Sequence, residues 1–274
     1  MLFPYRDDAP VHRTPYVTYG LIAANVISLV VLSQLPAQKL EPYVARRGFV
    51  PARVAQLFNP NLVVQVNLSD AALPAPVWLR APQGLLQPVV QLPPNRVEIL
   101  LSLFTAMFIH GGWLHLLSNM WYLWIFGDNI EDRLGHGPFA GFYLLGGVLA
   151  SLCHWAVDPT STVPVVGASG AIAAVLGAFA ITHPTANVRC LLFLVIFVTV
   201  IDLPALAVLG FWFVQQLLEG FGALELGTGG GVAWWAHVGG FVAGLMLMPL
   251  LVGREPPPPA PDPWYAQLPR ESDP

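Results

Sequence analysis

The chain has 274 residues, of which 55% are hydrophobic and 10% charged. A soluble globular domain carries about 25% charged residues to keep its surface in water, so an ordinary soluble protein is excluded. A disordered chain, which would be polar and charge-rich, is excluded as well. The net charge of −4 leaves no basic footprint for nucleic acid, so lipid is the solvent the composition implies.

Charge placement divides the chain. Residues 14–38, 99–127, 134–157, 159–188 and 226–253 contain no Asp, Glu, Lys or Arg, and residues 190–218 contain Asp202 alone. A bilayer crossing needs about 20 apolar residues in a helix. The runs are continuous rather than alternating, which favours helices over a barrel. The expected fold is therefore all-α, a polytopic membrane protein with six transmembrane helices near 16–35, 112–130, 138–157, 166–184, 203–219 and 233–252. The first run is too long for a cleavable leader and lacks a small-residue cleavage site.

Around this six-helix unit, residues 16–253, lie a short N-terminus (1–15) and a tail (254–274). The first loop, about 36–111, holds ten prolines between Pro36 and Pro94, which argues against one continuous helix. Its end, Val97 to Ile109, is apolar enough for a short helix in or against the membrane surface. The tail carries eight prolines and no apolar periodicity, as expected of disordered or extended chain. Six basic residues lie in the long first loop and six on the opposite side. Orientation follows the short loops, so both termini are expected in the cytoplasm. A bacterial plasma membrane is the expected location. Cys153 and Cys190 match no metal or redox motif and read as small hydrophobes.

Polar side chains within spans are costly and mark candidate function. Those considered are Asn25, His110, His115, Asn119, His154, Ser169, Asp202 and His237. No metal-ligand set emerges from them. His110 and His115 are five residues apart, about 140° around a helix, with no neighbouring acid or cysteine. His115 and Asn119, four apart, share a face and offer two hydrogen-bond donors to one spot. Asn25 and His154 read as interhelical hydrogen-bond formers, and Asp202, before Leu203-Pro204, as a cap on the fifth helix. Phe211, Trp212 and Phe213 read either as part of a lateral gate or as lipid-facing packing.

Gly167-Ala168-Ser169-Gly170 opens the fourth crossing. A serine between glycines at a helix start suits a nucleophile, because substrate backbone can approach and helix-start amides can stabilise an oxyanion. The same residues also suit close helix packing, with Gly170, Ala174 and Gly177 as the stripe. In the last crossing, His237, Gly240 and Gly244 share one face. Packing that face on the fourth helix would bring His237 to Ser169, a base beside a nucleophile.

The set His110-x4-His115-x3-Asn119, Gly167-Ala168-Ser169-Gly170 and Ala236-His237-Val238-Gly239-Gly240-x3-Gly244 resembles the rhomboid intramembrane serine proteases. Glu131-Asp132-Arg133-Leu134-Gly135 is similar to that family's E-x-R segment, and the resemblance covers about residues 15–253. It implies a six-helix bundle with a water-accessible cavity opening away from the cytoplasm. It implies Ser169 as nucleophile and His237 as general base. His115, Asn119 and the Ser169 amide would stabilise the oxyanion, with Gly167 shaping the hole. His110, Gly170, Gly240 and Gly244 would be structural.

The implied reaction is peptide-bond hydrolysis in or beside the transmembrane helix of a membrane-protein substrate, single-pass or otherwise, without cofactor or metal. An inactive rhomboid-like chaperone for transmembrane helices is one alternative. A small transporter or channel is another, although repeats and broken helix pairs are not evident. Two positions depart from the family. Its first-loop Trp-Arg pair is here Leu101 and Ser102. The tyrosine that its best-known bacterial member has four residues after the serine is Ala173, so another group must orient His237.

Overall fold

The computed structural model describes residues 2–67, 89–194, 197–226 and 232–252. The expectation for the tail falls outside these residues, as does part of the first loop.

Among the described residues the fold is mostly helical. The helices are α1 (Tyr16–Ser33), α2 (Ala37–Arg47), α3 (Arg96–Thr105), α4 (Trp113–Leu134), α5 (His136–Val157), α6 (Ser169–Thr182), α7 (Ala205–Leu226) and α8 (Trp234–Leu251). Four of these, α1, α5, α7 and α8, are long and apolar enough to cross a membrane. The bent pair Arg96–Phe108 and Trp113–Leu134, at 81°, would make a fifth, while Ser169–Thr182 is a shorter apolar helix. The chain is a multi-pass membrane protein.

The all-α expectation needs correction. Strands β1 (Leu2–Asp7), β4 (Asn187–Leu194) and β5 (Phe197–Pro204) form one antiparallel sheet in the order β1-β4-β5. Strands β2 (Val64–Asn67) and β3 (Val89–Leu92) pair antiparallel within the first loop. The β4–β5 stretch is rich in Val, Ile, Leu and Phe with one charge per strand, Arg189 and Asp202, which charge counting cannot distinguish from helix. Its β-branched residues suit a paired strand. Asp202 consequently sits in β5 and pairs with Arg189 Nε at 3.0 Å across the ladder, rather than capping α7.

The connections fix two ends of the bundle. The sheet lies where α1 and α7 begin and α4 and α6 finish. The opposite end collects the starts of α4, α6 and α8.

At the sheet end, α1 follows Pro15 with no side-chain cap of its own. Glu131, 1% exposed, supplies one from α4. Its carboxylate accepts from Val17 N at 2.8 Å, Thr18 N at 2.7 Å and Thr18 Oγ1 at 2.7 Å, and lies 2.6 Å from His136 Nδ1. A carboxylate there satisfies first-turn amides that have no intrahelical partner.

Asp7 accepts from Ala9 N at 2.9 Å and Asn129 Nδ2 at 3.2 Å. Burial nevertheless raises its carboxyl from 3.8 to about 6, outweighing those hydrogen bonds. The folded protein therefore holds this proton more tightly than the unfolded chain does. Stability from this group is complete below pH 4, falls as pH rises toward 6, and stays low above that. Asp7→Asn is expected to raise stability in detergent above pH 6 by up to about 3 kcal/mol, and with it the melting midpoint, and to leave both unchanged at pH 4. Thermal melts at the two pH values check this.

The first loop is a folded layer. Arg53, 1% exposed, donates to Gln56 Oε1 at 3.2 Å, to Arg46 O at 3.4 Å and to Glu98 Oε2 at 3.2 Å. Gln56 in turn donates to Leu62 O and Leu92 O, at 2.9 and 2.8 Å. The layer is stitched to the segment before α6 by the Phe49–Val165 bridge, by Ala52 N to Ser161 O at 2.9 Å and by Gly167 N to Ala106 O at 2.9 Å. α3, capped by Asn95 Oδ1 accepting from Glu98 N at 3.2 Å, turns Val97, Leu100, Leu101 and Phe104 outward. That face suits lipid.

Candidate active site

The site is built where α6 and α8 meet. Glycine faces let their backbones touch: a Cβ on Gly240 would strike the Gly170 carbonyl, one on Gly244 the Ala174 carbonyl, and one on Gly177 the Phe241 carbonyl. Backbone cannot move aside as a flexible side chain can, so each position excludes any larger residue. Ala173 faces the same seam, its Cβ 3.1 Å from where a Gly240 Cβ would be. A tyrosine has no room there.

This seam places Ser169, the first residue of α6, beside His237 in the first turn of α8. Ser169 Oγ lies 2.8 Å from His237 Nε2. On the other side of the ring, His237 Nδ1 lies 2.7 Å from Oε1 of Gln216, a buried α7 residue absent from the set of polar candidates read from the sequence. Trp212 and Trp234 flank the ring, with centroids 6.0 and 6.1 Å away. These groups, rather than a tyrosine on α6, orient the imidazole. The sequence signal for Gln216 is its place one turn after Trp212, on the α7 face that also carries Phe213, stacked on Phe241 of α8 at 4.7 Å.

His115, on the first turn of α4, faces the serine across Gly167. Its Nδ1 accepts from Gly111 N at 3.3 Å, which leaves the ring proton on Nε2. A Cβ on Gly167 would lie 2.8 Å from that Nε2 and 3.8 Å from Ser169 Oγ. Gly167 also has φ +117°, in the region that favours glycine. An N–H donor, a hydroxyl and the free amides at the start of α6 thus surround a space that only glycine keeps open.

Asn119 lies one turn along α4 from His115 and is engaged with its own helix. Its Nδ2 donates to His115 O at 2.8 Å, back along its own helix. His110 is buried, packed edge-on against His115 at 5.1 Å, and neither ring nitrogen has a partner among the described residues. Gly170 lies in the seam, its Cβ position 2.7 Å from Ala150 Cβ. Asn25 and His154 do not form the interhelical bonds expected of them. Asn25 Nδ2 donates to Leu21 O at 2.9 Å within α1, and Asn25 Oδ1 and His154 Nδ1 have no partner among the described residues. Among the described residues no group of three or more His, Cys, Asp or Glu is placed to hold a metal ion.

Fold and site together define a polytopic helical membrane protein carrying a hydrogen-bonded serine and histidine where two of its helices meet. A rhomboid-domain family model matches residues 98–254, more than half of the chain. The chain belongs to the rhomboid family. It is 45% identical over 78 residues to rhomboid-like protein 11, chloroplastic, of Arabidopsis thaliana, covering 28% of this chain and 26% of that protein. It is 24% identical over 224 residues to rhomboid-related protein 2 of Mus musculus, covering 78% and 68%. A putative rhomboid protease of Bacillus subtilis (strain 168) is 32% identical over 77 residues, covering 28% and 38%. The chain spans about a quarter of the length of the first relatives it matches.

Proposed function

We propose that this chain is an intramembrane serine endopeptidase that cleaves transmembrane segments of other membrane proteins through Ser169 and His237. The observation that carries the reading is the 2.8 Å hydrogen bond from Ser169 Oγ to His237 Nε2 at the start of a short helix. His237 takes the hydroxyl proton as Ser169 attacks the scissile carbonyl, then returns it to the leaving amine. Water repeats the cycle to release the acyl group. The oxyanion sits in the space beside Gly167, held by His115 Nε2–H and the Ser169 amide. Asn119 joins when substrate draws its amide away from the His115 carbonyl. His110, Gly170, Gly240 and Gly244 hold the site's shape. No metal or cofactor takes part.

In this reading residues 16–253 form one membrane unit with six crossings, α6 included. The 14 residues of α6 span about 21 Å, against about 30 Å of hydrocarbon. A helix that ends at one membrane face therefore starts about 9 Å below the other. That depth suits a serine reached by water from one side and by a substrate helix from within the bilayer. Both termini lie in the cytoplasm, of a bacterium in this reading, and the site opens away from it.

A fluorophosphonate added to the protein in detergent is expected to label Ser169, as read by peptide mass spectrometry, and to leave Ser169→Ala unlabelled. Equal labelling of both would overturn the assignment. A folded protein that neither labels nor cleaves would be a rhomboid-like binder of transmembrane helices instead.

A further inference from the structure

We infer that Gln216 is a positioning residue of the Ser169–His237 pair, setting the tautomer and aim of the imidazole from α7. The inference rests on the hydrolytic reading above and extends it to a third side chain.

Gln216 is 4% exposed, whereas its neighbour Gln215 is exposed. Burying an amide in an apolar helix is unfavourable unless its polar atoms are paired. The pairing observed for its oxygen is His237 Nδ1, at 2.7 Å. With the amide oxygen turned to the ring, an atom that only accepts, the ring proton sits on Nδ1. Nε2 is then left with its lone pair facing Ser169 Oγ at 2.8 Å, the arrangement a general base requires. When Nε2 takes the serine proton, the same oxygen stabilises the imidazolium through the Nδ1–H bond. A neutral amide does this without the desolvation penalty of a buried carboxylate.

The placement is specific to α7. Trp212, one turn earlier on the same face, lies against the His237 ring, and Gly220, one turn later, admits Trp235, whose ring is 3.2 Å from a Cβ there. The face that seats α7 on α8 is therefore the face that presents Gln216.

The test compares wild type, Gln216→Leu, Gln216→Glu and Ser169→Ala in detergent, on a single-pass model substrate, with kcat, KM and melting midpoint measured for each. Gln216→Leu removes the acceptor and is expected to lower kcat by about 10–10²-fold with KM within about threefold, the scale of a misplaced catalytic group. Gln216→Glu keeps an acceptor at the same reach and is expected to restore kcat to within about fivefold of wild type. Should the leucine variant melt early, Gln216→Met, of similar length and volume, replaces it in the comparison.

A kcat within twofold of wild type in the acceptor-less variant would overturn the inference. So would a glutamate variant that melts like wild type and is as slow as the leucine variant. With Ser169→Ala inactive, either result removes Gln216 alone. Cleavage that survives Ser169→Ala removes the hydrolytic reading beneath it.

Discussion

Replacing His237 with alanine is expected to lower the cleavage of a transmembrane substrate by about 10²–10⁴-fold, the usual worth of a positioned general base. The substitution removes the acceptor 2.8 Å from Ser169 Oγ, and a serine hydroxyl without a base is a weak nucleophile at neutral pH. It leaves Gly240 and Gly244 in place, so the α6–α8 seam that shapes the site persists. The loss should therefore fall on kcat, with KM and the melting midpoint close to wild type. Added imidazole has room to enter the vacated space and should return a small part of the rate. A variant that keeps more than a tenth of wild-type kcat would remove His237 from the mechanism.

Gly167→Ala is expected to produce the second largest effect, about 10²–10³-fold, equivalent to losing an oxyanion donor. Two independent costs meet at this residue. Its φ of +117° strains any residue with a Cβ, and the Cβ itself would lie 2.8 Å from His115 Nε2. The ring must swing away or the Gly167–Ser169 backbone must shift, and either opens the gap between donor and oxyanion. Because Gly167 N also holds Ala106 O, a backbone shift would loosen the seam with the first loop as well. Labelling of Ser169 by a small fluorophosphonate should fall alongside substrate turnover. Full turnover in this variant would place the oxyanion elsewhere.

The helices were the more legible part of the fold, because five charge-free runs and a sixth with Asp202 alone leave few other placements in a 10% charged chain. The strands were not legible for the same reason. β4 and β5 carry one charge each, Arg189 and Asp202, in otherwise largely apolar sequence, so sparse charge carries no information about their backbone. Pairing with β1, nearly 190 residues away in sequence, is a tertiary fact.

At the site, the glycine periodicity of the last crossing indicates which helix must approach it, and the structure places that seam between α6 and α8. Gln216 is not legible in the sequence because its meaning depends on how α7 is seated on α8. Asn119 shows the converse limit. Its four-residue spacing from His115 gives a shared face, but its Nδ2 donates to the His115 carbonyl of its own helix. Arg53, buried beside Gln56 and paired with Glu98, could not be placed from a loop rich in proline.

The most direct test of the central claim is reconstitution in liposomes with a single-pass substrate, product being read by mass spectrometry. The wild-type protein is expected to cut the substrate within or beside its transmembrane segment, and Ser169→Ala to leave it intact. Equal product from both proteins would show that the cleavage does not depend on the Ser169 hydroxyl, and would contradict the account.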